Sequence, residues 1–362
     1  MAKTIFEIFE SKSIAAYWTD TNVNIADPTI GQNMFPVSKQ VGLDLAWIKG
    51  RNNLPVALQP AAFDTKAPLR DRIGVKELST EMPFFREAMR IGEKDRQQIE
   101  TLLAKGEQFV QPTIMRIYDD IGNLVNGALV QAERMRMSLL WSGKIAILAT
   151  AENGRDIAYN YNYDVSGDWA TDNNLTLLTD DRWLVSTKAT SDPINVLLTA
   201  ANTMKEDFGV TPTRILMNTS TLTGMLASES ISKTMNPLGA TNMIITKNAG
   251  KAYLESETEL KIIVYDKMYK DEQGVDRKYY PDNYVSLLPS YALGNTWFGT
   301  TPEEFDLMSG TGGDIASVSI VNTGVAITTI KEAHPVNVMN VVSEIVLPSF
   351  ERMDDIYVIK VA

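Results

Sequence analysis

No cysteine occurs in these 362 residues, and there is a single histidine, His334. The first absence removes disulfides, thiolate nucleophiles and thiolate metal sites, and it leaves the redox compartment unreadable from cysteine usage. The second leaves no usual zinc site and no H-E-x-x-H helix. His334 stands before Pro335, whose ring biases it toward extended backbone, and a lone loop histidine is more often structural than catalytic. No apolar run approaches the ~18–20 residues of a membrane helix. The N-terminus, MAKTIFEIFESK, carries acidic residues inside its only apolar patch and has no small-residue cleavage site, so it does not read as a signal peptide. A basic excess is missing too. The net charge of −11 argues against a phosphate-gripping nucleic-acid binder, although acidity is ordinary among soluble proteins and decides nothing further. A G-x-x-x-x-G-K-[ST] loop and an EF-hand loop are absent, and Gly310 to Gly313 lacks the G-x-G-x-x-G spacing and a preceding strand. No cofactor, no metal and no enzymatic activity are expected.

What is present is globular. Hydrophobic residues make up 44% and charged residues 22%, both near the average for folded domains. The length suffices for two ordinary domains or one elaborate one. Carboxylates occur as adjacent pairs, Asp119-Asp120, Asp180-Asp181, Glu303-Glu304 and Asp354-Asp355. Neighbours on a helix or strand point to different faces, so these are not the facing pair ~5–10 Å apart of a glycosidase. They read as solvated surface. The six tryptophans (Trp18, Trp47, Trp141, Trp169, Trp183 and Trp297) are scattered, as core and interface anchors are.

Along the chain, residues 1–35 read as an arm. Ile5, Phe6, Ile8 and Phe9 form one apolar face of a short helix, and the stretch from Thr19 to Pro28 is polar. A helix this short is marginal alone and needs a surface to lie on. Residues 36–82 contain an alternating strand pattern (Val41, Leu43, Leu45, Trp47), a turn at Gly50 to Asn53, and an aperiodic stretch from Pro55 to Arg72 with three prolines. A loop of this length without its own element is usually functional. The clearest helix covers about 111–141. Gln111-Pro112 reads as its start, its apolar positions Ile114, Ile117, Ile121, Leu124, Ala128, Ala132, Met135 and Leu139 recur in steps of three and four, and Gly143 ends it. Asn153-Gly154 between two β-type runs predicts a hairpin. Asp192 and Gly209 bracket a helix from Ile194 to Phe208, Thr213 to Asn218 reads as a strand, and Ser220 to Ser228 as a helix. Leu260 to Leu288 reads as a hairpin: a run Ile262-Ile263-Val264-Tyr265, a polar tip with Gly274, then Tyr279-Tyr280-Pro281-Asp282-Asn283 and a second run.

That last segment, with its order of strand, DEQG tip, aromatic, Pro-Asp-Asn and strand, resembles the lambda-type major capsid proteins of tailed bacteriophages, the capsid protein E family. The ending from Val341 to Ala362, a strand, a turn with Pro348 and Asp354-Asp355, then a final strand, resembles that family as well. The resemblance implies an α+β chain of the Hong Kong 97 phage fold. Its parts would be an N-terminal arm (1–35), an extended loop (36–82), a peripheral domain with a spine helix (83–191), an axial domain (192–308) and a return to the peripheral domain (309–362). It further implies a major capsid protein whose hexamers and pentamers tile an icosahedral shell around double-stranded DNA, in the virion, assembled in the host bacterial cytoplasm. Implied partners are copies of itself, a scaffolding protein, a portal and a decoration protein, with no membrane. Because the chain starts at the arm without a long helical extension, the scaffold is expected to be a separate protein. Contacts with neighbours would come from Arg51, Phe63, Lys66, Arg70 and Arg72 of the extended loop and from Phe6 and Phe9 of the arm, while Ile117, Ile121 and Leu124 hold the spine helix in the core. An encapsulin-like nanocompartment shell and an acidic-residue α/β hydrolase remain the alternatives.

Overall fold

The computed structural model describes residues 8–25, 29–49, 76–105, 107–150, 156–236, 245–309, 316–334 and 336–362. The described chain opens with helix α1 (Ser11–Ile25), the single turn α2 (Gly31–Met34) and strand β1 (Val37–Lys39). A two-stranded ribbon, β2 (Asp44–Lys49) with β3 (Lys76–Glu81), precedes β4 (Phe84–Ile91), α3 (Glu93–Lys105) and the long α4 (Glu107–Ser142). Next come β5 (Lys144–Thr150), β6 (Asp156–Asn162), α5 (Asp168–Asp172), β7 (Asn174–Thr176), α6 (Pro193–Asp207), β8 (Arg214–Met217), α7 (Thr219–Leu226), α8 (Glu229–Met235) and α9 (Lys247–Thr258). The remainder is strand-rich: β9 (Lys261–Val264), β10 (Met268–Lys270), β11 (Asp276–Lys278), β12 (Tyr284–Leu288), β13 (Thr296–Phe298), α10 (Pro302–Ser309), β14 (Ala316–Val321), β15 (Val325–Ala333), β16 (Val336–Pro348) and β17 (Tyr357–Lys360).

Contacts divide the chain into two compact units. The first comprises Met1–Ala46, Ser79–Arg136 and Asn295–Ser349. Its sheet runs β1-β13-β16-β15-β14. The 13-residue β16 is its axis, pairing along one edge with β15 and along the other with β4 and then β13. Ile121 and Val125 of α4 and Ile14 of α1 bury against Val321, Val325, Ile327 and Val342, one face of that sheet. The apolar steps of three and four in α4 place its residues there. The sequence starts this helix at Gln111-Pro112, whereas it begins at Glu107 and takes Pro112 inside, forgoing one i→i−4 bond. The polar stretch from Thr19 is helical as far as Ile25. Two bonds anchor α1 to the polar face of α4: the Tyr17 hydroxyl donates to Asp119 Oδ1 at 2.6 Å and the Trp18 indole to Asn126 Oδ1 at 3.0 Å. Tertiary contact thus supplies what helix propensity alone does not.

The second unit comprises Trp47–Leu78, Met137–Gly294 and Phe350–Ala362. Its five-stranded sheet runs β7-β17-β12-β8-β9. Leu197, Met204, Leu222, Met225 and Leu254 of the helices cover Ile215, Ile262, Val285, Leu287 and Ile359. The caps at both ends of α6 are as the sequence reads them: Asp192 accepts the Asn195 N–H, and Gly209 follows at φ +69°. Strands β5 and β6 pair antiparallel from Lys144↔Asn162 to Thr150↔Asp156, with the predicted Asn153-Gly154 turn outside the described residues.

One sequence expectation fails here. Leu260 to Leu288 is not one hairpin, because β8 lies between β9 and β12, parallel to the first and antiparallel to the second. Helices α7, α8 and α9 carry the chain from β8 to β9, the long crossover that parallel pairing needs. The polar excursion forms its own small hairpin, β10 with β11. The stretch 309–362 contributes to both contact units. Strand β17 pairs with β12 and β7, and Tyr357, Ile359 and Val361 join the second unit's core. The division by contacts falls between Arg136 and Met137 and between Gly294 and Asn295.

Candidate functional site

The ribbon β2–β3 leads into residues 50–75. The expected contact residues Arg51, Phe63, Lys66, Arg70 and Arg72 lie there, outside the described residues, as does Phe6 of the arm. What the structure does show is the ribbon's root. The Met82 N–H donates to the Leu43 carbonyl at 2.9 Å. Lys39, just before the ribbon, pairs with Glu304, and Arg86, just after it, pairs with Glu303. The two carboxylates occupy the first turn of α10, which Thr301 caps by accepting the Glu304 N–H at 3.2 Å. Glu303 also accepts the Ser343 hydroxyl at 3.0 Å. This corrects the reading of Glu303-Glu304 as solvated surface: their side chains are only 13% and 7% exposed, and each faces a cation from a different side of the ribbon. The sequence signal was Thr-Pro-Glu-Glu, a cap, a first-turn proline and two acids suited to a helix N-terminus. Asp355 is a second correction. It is buried and accepts the Tyr291 hydroxyl at 2.7 Å.

Within the first unit, α4 carries a buried polar cluster that periodicity did not mark. Glu133 accepts the Gly31 N–H at 3.1 Å and lies 3.5 Å from Arg136, whose Nε donates to Thr296 Oγ1 at 2.7 Å. Glu344 on β16 is buried near the same guanidinium, and neither of its carboxyl oxygens has a hydrogen-bond partner among the described residues. Burial pushes the Glu344 carboxyl well above the usual carboxylate range, against the opposing pull of Arg136.

The remaining predicted residues are intrachain. Phe9 is fully buried with Ile91, Ile99 and Val338 and meets the Tyr118 ring edge-on at 5.8 Å. Ile121 belongs to the main cluster of the first unit, and Ile117 and Leu124 pack against it. Among the described residues no group of His, Asp or Glu side chains could hold a metal ion, and no helix is long and apolar enough to cross a membrane.

The Tyr-Pro-Asp-Asn stretch is a structural knot. Tyr280 is fully buried, its hydroxyl 2.7 Å from that of Ser286, which donates to the Leu140 carbonyl. Asp282 accepts from Asn218 and from Lys278. Asn283, at φ +66°, donates its N–H to Thr221 and accepts that of Val361. The turn therefore ties the start of α7 to the final strand. No reactive constellation arises from it.

Comparison with known families decides what such a chain is. The model of the phage major capsid protein E family matches residues 11–361. The chain belongs to that family. It is therefore a phage capsid shell protein that self-assembles, with an α+β fold related to the Hong Kong 97 type. Among solved structures it is similar to a prophage protein of Escherichia coli CFT073 assigned to the capsid. That match has a TM-score of 0.57 at 13% identity and covers 98% of this chain and 99% of the other. It is similar also to a phage-related protein of Bordetella bronchiseptica RB50, with a TM-score of 0.55 at 12% identity over 95% and 96% of the two chains. At such identities the likeness shows the fold. No curated protein sequence matches the chain.

Proposed function

We propose that this capsid protein forms hexamers and pentamers that tile a closed icosahedral shell around double-stranded DNA, in the virion and assembled in the host bacterial cytoplasm. The observation that carries the reading is the anchored ribbon, whose two strands flank a long, proline-rich, aperiodic stretch of sequence in a chain of a capsid family. The first unit, with its long helix, serves as the peripheral domain and the second as the axial domain. Residues 50–75 act as the extended loop, with Phe63 an apolar contact and Arg51, Lys66, Arg70 and Arg72 meeting acidic surface on the neighbour. Such exposed pairs position more than they stabilise, at about 0–1 kcal/mol each. The net charge of −11 suits a wall that must not grip its DNA. A scaffolding protein, a portal and a decoration protein complete the assembly. Electron microscopy of particles from cells expressing the chain with its scaffold tests this: closed shells with five- and six-fold capsomers are expected, and sedimentation as monomer alone would refute it.

A further inference from the structure

A strand at the edge of a sheet leaves one row of backbone N–H and C=O groups unpaired, and proteins blunt such edges by shortness, charge or proline. Most edges of the two large sheets are blunted in this way. Strands β1 and β7 have three residues each. Strand β9 has four and opens on Lys261, and β4 carries Arg86, Glu87 and Arg90. Strand β14 is different. Its six residues, ASVSIV, include neither charge nor proline. Strand β15 pairs with it along one side, and among the described residues no strand pairs with the other. Both faces of β14 are placed. Ser317 and Ser319 meet α1, where Ser11 donates its N–H to Ser317 Oγ at 3.4 Å and holds its hydroxyl 3.1 Å from that of Ser319. Ile320 lies on the opposite face, in line with Ala326 and Ser343, and Ser343 bonds Glu303 of α10. There Ile320 is 37% exposed, and Phe305, on the helix packed against β14 and β15, is 63% exposed. Exposed apolar side chains on adjoining segments mark an interaction surface.

We propose that β14 pairs antiparallel with β14 of a second copy of this chain, continuing the first unit's sheet across a two-fold axis. Self-complementarity selects a second copy as the occupant. An uncharged strand meets its own mate without like charges standing opposite each other, and the chain belongs to a family that self-assembles. Main-chain hydrogen bonds along the open edge supply the affinity, as in other cases of strand addition. In such an isologous contact, residue i meets residue j and j meets i. An axis normal to the sheet keeps each face on its own side, so it joins residues of one face and passes through a residue. Val318 and Ser319 are the two central positions. With the axis at Ser319, Val318 stands beside the partner subunit's Ile320. With the axis at Val318, Ile320 stands beside the partner subunit's Ala316. Either register covers Ile320. The pairing needs only a second copy, so it stands apart from the geometry of the shell.

The cysteine-free chain makes the test direct. The single-cysteine variants Val318→Cys and Ser319→Cys are each expressed with the scaffold, and the particles are treated with a short thiol-to-thiol cross-linker. A residue on the axis has its Cβ only ~4.5–5.5 Å from that of its mate. At least one of the two variants is expected to run largely as a dimer on a denaturing gel. Ala88→Cys, exposed on the charged edge β4, should run as a monomer. Particles in which neither β14 variant cross-links would overturn the pairing. Independently, Ile320→Lys should leave circular dichroism and melting of the free subunit unchanged and lower particle yield by roughly tenfold, because it gives the edge a charge of the kind that blunts pairing. Ile320→Val should assemble normally. Normal yield from Ile320→Lys would overturn the proposal. If the wild-type chain forms no particles, the closed-shell reading falls by itself, and the same gel on the soluble protein decides the pairing: a dimer supports it and monomer alone overturns it.

Discussion

Glu344 lies buried in the first unit within the field of Arg136, yet neither of its carboxyl oxygens has a hydrogen-bond partner among the described residues. Glu133 draws on the same guanidinium. One cation serving two buried carboxyls is a poor bargain for the one it does not bond.

The consequence is a pH dependence of known sign. Burial raises the folded-state pKa of Glu344, so the folded subunit keeps a proton that the unfolded chain releases above about pH 4.3. The stability this contributes is fully present below that pH. It is lost as pH rises toward the raised folded value, at up to about 1.4 kcal/mol per pH unit. Glu344→Gln keeps the shape and removes the titration. In denaturant unfolding of the free subunit, the variant should match wild type near pH 4 and exceed it at pH 8. A gap that does not change with pH would show that Glu344 is ionised when folded.

Ile121 is fully buried between α1, α4 and the sheet of the first unit. Ile121→Asp places an unpaired carboxylate there and should cost several kcal/mol, enough to leave the subunit insoluble. Ile121→Val should cost only about 0.5–1.5 kcal/mol. Soluble yield and thermal melting of the two variants check the placement of the helix face.

Gly143 ends α4 at φ +62°, and a Cβ there would collide with Met353 and come within 3.1 Å of the Trp169 ring. Gly143→Ala combines left-handed strain with overpacking and should destabilise the free subunit by about 1–3 kcal/mol. Gly167, also left-handed but with nothing within 4 Å, serves as the control. Gly167→Ala should cost less, and the difference in melting temperature isolates the clash.

These sites show what the sequence could and could not disclose. The apolar steps of α4, the Asp192 cap and the Gly209 stop were readable because each is decided within a turn or two of chain. The partner of β9 was not, since an apolar run declares a strand without naming its neighbour, and β8 lies three helices upstream. Glu133, Arg136 and Glu344 escaped notice for a related reason. Charges on an apolar face look like surface until α2, β13 and β16 close over them. Glu303 and Glu304 were hidden likewise, because their cations come from Lys39 and Arg86, more than 200 residues away in sequence.

The ribbon β2–β3 is anchored at its root by Lys39, Arg86 and the Met82–Leu43 bond, none of which involves residues 50–75. Replacing Pro55 to Arg72 with a short Gly-Ser turn should therefore leave that root intact. Among the described residues, the main clusters of the two units are built on Ile121, Val325 and Val342 and on Leu197, Ile215 and Val285. A soluble subunit with near-native circular dichroism is expected, with melting shifted by no more than a few degrees. Shell closure should nonetheless fail, since the segment's apolar groups and cations are proposed to act on neighbours. Shells of normal size and heat resistance from the shortened chain would refute that role, and an unfolded free subunit would place the segment in the core. A self-contained fold predicts neither a loss of closure nor any recovery by mixing. Adding full-length chains to the shortened ones should restore closed particles only as the full-length fraction grows, because each shortened subunit leaves one neighbour without its contact.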